Sequence, residues 1–453
     1  MTAELPAFAI SSGDSSWDAS RAAFNLAIDQ TPALIAFPET VDDVVEAIAF
    51  ARANGLRVAP QRTGHAAEPI APALTDTLLL RTDRLLELAP GKPGTAEIDP
   101  AARTARVSAG ALWGDVADPA IPHGLAPLAG SSRGVGVVGY HLGGGVSFMS
   151  RKHGLAANAV RAIELVTADG RRVRATADSE PDLFWALRGG GGSFGVVTAL
   201  ELDLFEVPDV YAGNMLFPIE RAREVLHAWR EATLTAPDEL TLNGRVLRVP
   251  DMPGPPPPLR GRGFAVVDAV FLGTEADGAE LLAPLRALGP EIDMVAPTDP
   301  GVLGRVHMDP EDPAPALTDH TLTGPLPPEA IDAFVDAVGP DSGATLVAAE
   351  LRHHGGALAD ALPGAGALGS LGGDYHAFGV GMVMGPDAAT AVRADLDRML
   401  EALSPYASGR YFNFQDRPVS ASDFFDDAKL DRLRAVKAEW DPGDLIVAGH
   451  PVG

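Results

Sequence analysis

Apolar residues follow two different periods along this chain, and the switches between them outline its elements. "PALIAFPET" (32–40) is a short apolar run ending in a turn, which predicts a strand. Thr40 follows as a helix N-cap, with Asp43 three residues on as its capping-box partner. Val44, Val45, Ile48 and Ala49 then recur at helical spacing, and Asn54-Gly55 supplies the stop. "LRVAP" (56–60) reads as a second strand and "QRTGHAAEP" (61–69) as the loop after it, so the chain opens on an α/β unit. "TLLL" and "TARVSAG" predict two more strands, "LWGDVADPAIPHG" a helix, and "AIELVTADGRRVRAT" a hairpin turning at Asp169-Gly170.

"EPDLFWALRGGGGSFGVVTALELDLFEV" reads as a helix, a glycine loop and a long strand. From about 209 the texture changes. Strands such as "FAVVDAVFLG" mix with helices such as "AATAVRADLDRMLEAL", predicting a second α+β domain up to about 405. "PDMPGPPPPLRGRG" (250–263) has a linker's composition, but strand-like runs on both sides make it a stiff surface loop of that domain. "GALADALPGAGALGSLGG" (356–373) is expected to be a mobile surface segment. In "RYFNFQD", alternation puts Tyr411, Asn413 and Gln415 on one face of a strand and Phe412 and Phe414 on the other. The amphipathic helix "DDAKLDRLRAVKAEW" follows, with Leu430, Leu433 and Val436 on its apolar side.

At 453 residues the chain is too long for one core, so two or three domains are expected. The net charge of −26 argues against nucleic acid or an anionic membrane as a partner. The absence of cysteine excludes disulfides, iron–sulfur clusters and cysteine nucleophiles. The start shows no basic stretch followed by an apolar one, and the longest uncharged run, Gly134 to Ser150, is broken by glycines. A cytoplasmic protein is therefore the expectation.

"GSSRGVGVVGYHLGGG" (130–145) poses the main chemical question. Its first five residues fit the G-x-S-x-G of a serine hydrolase, which needs a strand before the serine and a helix directly after it. Two prolines precede Ser132 and helix-breaking glycines follow it, so the hydrolase reading fails. Gly190 to Gly195 matches G-x-G-x-x-G, but it follows a helix and opens a strand, the reverse of a dinucleotide fingerprint. Gly64, Gly143 to Gly145 and Gly189 to Gly192 together suggest backbone amides gathered on a diphosphate. His65 has no HExxH motif or paired acidic cluster around it, so no metal is expected. The doublet His353-His354 reads as two strand residues on opposite faces.

The order of these pieces resembles the covalent-flavin oxidases of the vanillyl-alcohol-oxidase (PCMH) type, in the berberine-bridge-enzyme-like branch. The resemblance runs from "WDAS" to "DPGDLI" and rests on "PALIAFPETVDDVVEAIAFARANGLRVAPQRTGHA", on "GSSRGVGVVGYHLGGGVSFMSRKHGLAANAV", on "EPDLFWALRGGGGSFGVVTALELDLF" and on "YFNF…RLRAVKAEWDP". It implies an α+β fold: a two-part FAD-binding domain over 1–208, a substrate domain with a helix-covered antiparallel sheet over 209–405, and a segment at 406–453 returning to the FAD-binding domain. His65 matches the histidine that bonds the flavin 8α-methyl. Ser132 stands where many relatives carry a second, cysteine attachment, so the FAD is expected to be monocovalent.

Arg62, Thr63, Gly64, Gly130, Ser131, Ser132, Val135, Gly136, Gly139, Gly143, Gly144, Val197 and Asn413 are the further cofactor-binding residues the resemblance implies. Val135 in particular is associated with oxygen access. Tyr411 matches the tyrosine of a Y-x-N motif that serves as base, a role for which the site must favour phenolate over a phenol titrating near ~10. Ser147 and "AANAV" depart from the family pattern. The implied activity is hydride transfer from an alcohol or amine carbon of a small molecule to flavin, with O2 giving H2O2. A non-redox cyclisation and a non-catalytic binding role are the alternatives. Sugars, amines, polyketide alcohols and alkaloids are all handled by this scaffold. A composition rich in alanine, arginine, glycine and proline but poor in lysine suggests a GC-rich genome, from which secondary-metabolite tailoring is the expectation. Substrate and oligomeric state stay open.

Overall fold

Thr40 caps the helix Val41–Ala53 with both halves of a capping box, its side chain accepting from Asp43 N–H and Asp43 accepting from Thr40 N–H at 2.9 Å. The computed structural model describes residues 4–207, 209–254 and 256–453. The expected domain boundary after residue 208, part of the 250–263 loop and the first three residues of the chain fall outside this set.

Two sheets build the first part of the chain. Strands Leu34–Ala36, Thr77–Arg81 and Arg57–Gln61 run parallel, with Ala9–Ile10 antiparallel on the edge. A five-stranded antiparallel sheet follows in the order Arg172–Ala175, Val160–Val166, Val196–Asp203, Thr104–Ser108, Ala96–Asp99. Its hairpin turns where expected, with Gly170 at φ +87°, a conformation that glycine adopts without strain.

The second part is a nine-stranded sheet whose two faces differ in chemistry. Register sets which residues share a face. Asn214 pairs Asp268, Asp268 pairs Asn243, Asn243 pairs Arg352 and Arg352 pairs His376. One line further along the strands, Arg245 pairs Glu350, Glu350 pairs Phe378 and Phe378 pairs His320. The intervening residues, among them Leu242, Val246, Val267, Ala349, Leu351 and Ala377, point the other way. They are buried in one core with Trp229, Phe334 and Leu396 of the helices Ala222–Thr233, Pro328–Val338 and Pro386–Leu403. Helices therefore cover the apolar face and the polar face is left for the first part of the chain.

The strand Ala407–Gly409 still pairs with Ala316–Thr323, so the sheet continues past residue 405. The chain then returns to the first part. In the helix Asp427–Trp440, Leu430, Leu433 and Val436 are buried, Arg432 stacks 3.9 Å from the Trp185 ring, and Lys437 Nζ donates to the Ser193 carbonyl at 3.0 Å. Val58 N–H donates to the Leu445 carbonyl at 2.8 Å beside the parallel sheet.

Two expectations need correction. Tyr411 to Gln415 is a 3-10 turn over Phe412–Phe414 and not a strand, because Gly409 ends the pairing and the backbone N–H of Gln415 turns back onto Phe412. Nor is 356–373 a loose surface segment. Ala367, Leu368 and Leu371 are buried, and Asn158 Nδ2 donates to the Gly369 carbonyl at 3.0 Å.

Candidate active site

Two clusters of residues meet on the 130–145 loop. The first gathers around His65. Arg62 Nε donates to the Gly110 carbonyl at 2.6 Å, while Trp113 N–H and Gly114 N–H donate to the carbonyls of Val135 and Arg133. A Cβ on Gly136 would sit 2.9 Å from Arg62 Cγ, so the 62–65 and 130–136 loops lie side by side. Gly64 has φ +77° with Ala23 immediately behind it, a position only glycine fills without strain. The turn presents His65, whose ring stacks 3.8 Å from Phe24 and whose Nδ1 shares a 2.6 Å hydrogen bond with Thr63 Oγ1. Burial drives the imidazole down to about 4, against the pull of Asp309, so it is uncharged at neutral pH. Ser131 Oγ donates to Asp309 at 2.6 Å and ties this cluster to the second part of the chain.

The second cluster centres on Tyr411, which is 1% exposed. Its hydroxyl accepts from Gly145 N–H at 2.9 Å and from Asn413 Nδ2 at 3.0 Å, and Asn413 also donates to the Tyr140 carbonyl at 2.9 Å. A Cβ on Gly143 would fall 1.8 Å from Asn413 Oδ1, and one on Gly144 would press Leu368 and Tyr411. Burial pushes the Tyr411 phenol above its usual range, while the two hydrogen bonds and Arg352 pull it back.

The remaining expected residues separate. Gly130 lies against the Tyr140 ring, and Ser132 is half-buried in a loop that reaches a helix only at Val137, so no nucleophile elbow exists. A Cβ on Gly139 would meet open space. Val197 lies within the five-stranded sheet, opposite Leu165 and buried in the core. Gly189, Gly190 and Gly191 are approached by Leu368, Leu433 and Phe412, so this glycine run accommodates the chain's own side chains and not a diphosphate.

The donor set suits an FAD. Residues 130–145 carry a single charged side chain, the cationic Arg133, whose Nη1 is buried without a partner. A Cβ on Gly134 would have nothing nearer than 3.9 Å. The open hollow of about 560 Å³ beside Arg133 and Gly134 is also lined by Asp115, Asp118 and Glu311, carboxylates that disfavour a diphosphate there. Among the described residues no group of histidine, aspartate and glutamate side chains could hold a metal ion, and no helix is long and apolar enough to cross a membrane.

Sequence reading missed the polar sheet face. Buried Asp268 meets Arg245 at 3.0 Å and His307 Nδ1 at 2.6 Å, and Glu350 meets His307 Nε2 at 2.9 Å and Arg352 at 2.8 Å. Burial opposes charge on His307, but Glu350, Asp309 and Asp268 raise it to about 9. The available signal was a polar residue at every second position in "TLNGR" and "ELRHH", with apolar or small residues between them except at His353.

Comparison with known proteins gives this geometry its context. Residues 32–176 match the family described as FAD binding domain. The chain is 30% identical over 277 residues to a chitooligosaccharide oxidase of Gibberella zeae, covering 60% of this chain and 52% of that protein. It is 37% identical over 179 residues to the (R)-6-hydroxynicotine oxidase of Paenarthrobacter nicotinovorans, covering 40% of this chain and 37% of that one. The chain thus matches about half or less of the length of these relatives. Its fold superposes on the berberine-bridge-enzyme-like protein 1 of Physcomitrella patens with a TM-score of 0.82 at 22% identity, over 98% of this chain and 96% of that one. The chain thus carries an FAD-binding domain over residues 32–176 and shares, along nearly its whole length, the fold of this berberine-bridge-enzyme-like protein.

Proposed function

We propose that the protein is an FAD-dependent oxidase that takes a hydride from the alcohol or amine carbon of a small organic molecule and passes the electrons to O2, giving H2O2. The reading rests on the Tyr411 hydroxyl, anchored by Gly145 and Asn413 to the glycine loop of the FAD-binding half while facing the sheet of the other half. Both relatives named above are oxidases, one of a chitooligosaccharide and one of a hydroxynicotine. Residues up to 208 and from about 410 on would form the FAD-binding part, and 209–409, through the edge strand Ala407–Gly409, the substrate part.

When bound, the flavin supplies a two-electron acceptor that O2 reoxidises. His65 is the proposed covalent attachment. Its uncharged imidazole keeps a lone pair at neutral pH, Thr63 fixes the ring through Nδ1, and Phe24 backs it. Arg62, Thr63, Gly64, Gly130, Ser131, Ser132, Val135, Gly136, Gly139, Gly143, Gly144 and Asn413 are the residues proposed to hold or border the cofactor. As the base, Tyr411 acts as the phenolate, which the two N–H donors on its oxygen stabilise, and it becomes the phenol on taking the substrate's hydroxyl proton.

Acid precipitation of the purified protein tests the reading. Yellow flavin should stay with the pellet in wild type and leave it in His65→Ala, and the wild type should release peroxide with alcohols or amines. A yellow supernatant from wild type would remove the covalent link. No flavin in either fraction after reconstitution would remove the oxidase.

A further inference from the structure

His320, His354 and His376 come from three neighbouring strands of the substrate sheet and meet at one point. His320 lies on Ala316–Thr323, His376 on Tyr375–Met382, and His354 directly after Ala348–His353. The His376 ring is 5.1 Å from that of His320 and 5.6 Å from that of His354, and 6.1 Å from Tyr411. Phe414 closes the corner, edge-on to His376 at 4.7 Å and to Phe378 at 5.0 Å. All three histidines are at most 2% exposed.

Their hydrogen-bonding capacity is unspent. Both ring nitrogens of His354 and Nε2 of His376 are buried without a partner, and the His320 nitrogens have none at hydrogen-bonding geometry, with Gln415 as their polar neighbour. A buried polar group left unsatisfied is destabilising, and a phenylalanine would fill each place without that cost. His353, on the opposite face, also has a buried Nδ1 without a partner and stacks against Tyr375. The face that meets Tyr411 gathers three such rings against one another.

The charge of this face narrows what they can bind. Arg352 is held by Glu350, Arg245 by Asp268, and His307 lies between the two carboxylates. Every one of these charges is already matched. Burial keeps the three histidines neutral, His320 and His354 down to about 3 and His376 well below its usual range. A neutral imidazole offers one donor and one acceptor, the same pair that a hydroxyl group needs.

We propose that His320, His354 and His376 form the polar wall of the substrate site beside Tyr411, and that they select an uncharged, hydroxyl-bearing molecule over an alkylammonium or a carboxylate. Calling the ligand a substrate rests on the oxidase reading; the binding preference itself does not.

Binding to the purified flavoprotein at pH 7 would be followed by thermal shift and calorimetry with two matched series. These are D-glucose, D-glucosamine and D-glucuronate, and benzyl alcohol, benzylamine and benzoate. The neutral member of at least one series should bind tenfold or more tighter than its charged partners. His354→Phe and His376→Phe should fold with an equal or higher Tm, keep their flavin, and weaken that binding at least tenfold. His376→Gln, which keeps a donor and an acceptor, should recover part of it. A charged member binding as tightly as the neutral one, unchanged binding in both Phe variants, a lower Tm in both, or no binding of any of the six to wild type would each overturn the proposal. Flavin retention and peroxide release are read separately, so a failed oxidase reading with an intact neutral preference is distinguishable from the reverse.

Discussion

Tyr411 accepts a hydrogen bond from the backbone N–H of Gly145, 266 positions earlier in the chain, at 2.9 Å. A residue of the returning C-terminal segment is thereby placed to within hydrogen-bond precision on the glycine loop of the FAD-binding half. Asn413 repeats the tie through the Tyr140 carbonyl and the Tyr411 oxygen itself. The contact is made of backbone and buried groups, so it holds the two halves in one register with little dependence on salt.

Removing the phenolic oxygen should show in the reductive half-reaction. Tyr411→Phe keeps the ring in its place but loses the acid–base group, and anaerobic flavin reduction by substrate should slow by ~10²-fold or more. Stopped-flow absorbance reads this directly, and an unchanged rate would remove Tyr411 from the chemistry.

Gly143→Ala should disturb the same contact from the other side. The added methyl would stand 1.8 Å from Asn413 Oδ1 and 3.0 Å from the Phe412 ring, so the turn carrying Tyr411 has to move. Overpacking of this kind costs about 1–3 kcal/mol. A lower Tm accompanied by slower flavin reduction is expected. Gly139→Ala, with open space at its Cβ, should lower the Tm less.

Asp268→Ala should be far more damaging. It leaves the buried guanidinium of Arg245 without its carboxylate and the imidazolium of His307 with Glu350 as its remaining hydrogen-bonded carboxylate. Breaking a buried ion pair on one side costs roughly 3–5 kcal/mol. Denaturant unfolding should show a loss of this order, or the variant should fail to accumulate as folded protein.

Asp416 makes stability pH-dependent. Burial, with Glu68 and Asp319 near it, raises its carboxyl to about 7, although Thr318 donates a hydrogen bond to it. The folded protein thus holds this proton more tightly than the unfolded chain, whose aspartate titrates near ~3.9. The contribution is fully present below that value and is lost as pH rises through 7. Asp416→Asn keeps the acceptor and removes the ionisation. Its Tm should exceed wild type by several degrees at pH 8, by less near pH 5, and match it below about pH 4. Equal differences at both pH values would contradict the assignment.

Local signals in the sequence were sufficient for a good share of this structure. The Thr40–Asp43 capping box, the Asn54-Gly55 stop, the turn at Asp169-Gly170 and the apolar stripe of Leu430, Leu433 and Val436 each depend on residues within one or two turns of one another. The four ordered motifs also carried the fold and the presence of an FAD-binding domain. The loop at 62–65 was legible because a glycine forced to φ +77° and the histidine after it are adjacent in the chain.

What the sequence did not determine depended on contacts between distant segments. The alternation in "RYFNFQD" is that of a strand, but strand pairing needs a neighbour, and past Gly409 Tyr411 bonds to Gly145 in its place. Gly189 to Gly191 looked like a phosphate cradle because close approach requires glycine whatever is approaching; only the fold shows Leu368, Leu433 and Phe412 there. The polar sheet face is the clearest case. Period-two alternation says that Arg245, Glu350, Arg352 and His376 each face opposite to their neighbours. Register alone puts them on one surface, with every charge paired and the three imidazoles of His320, His354 and His376 left with hydrogen bonds to give.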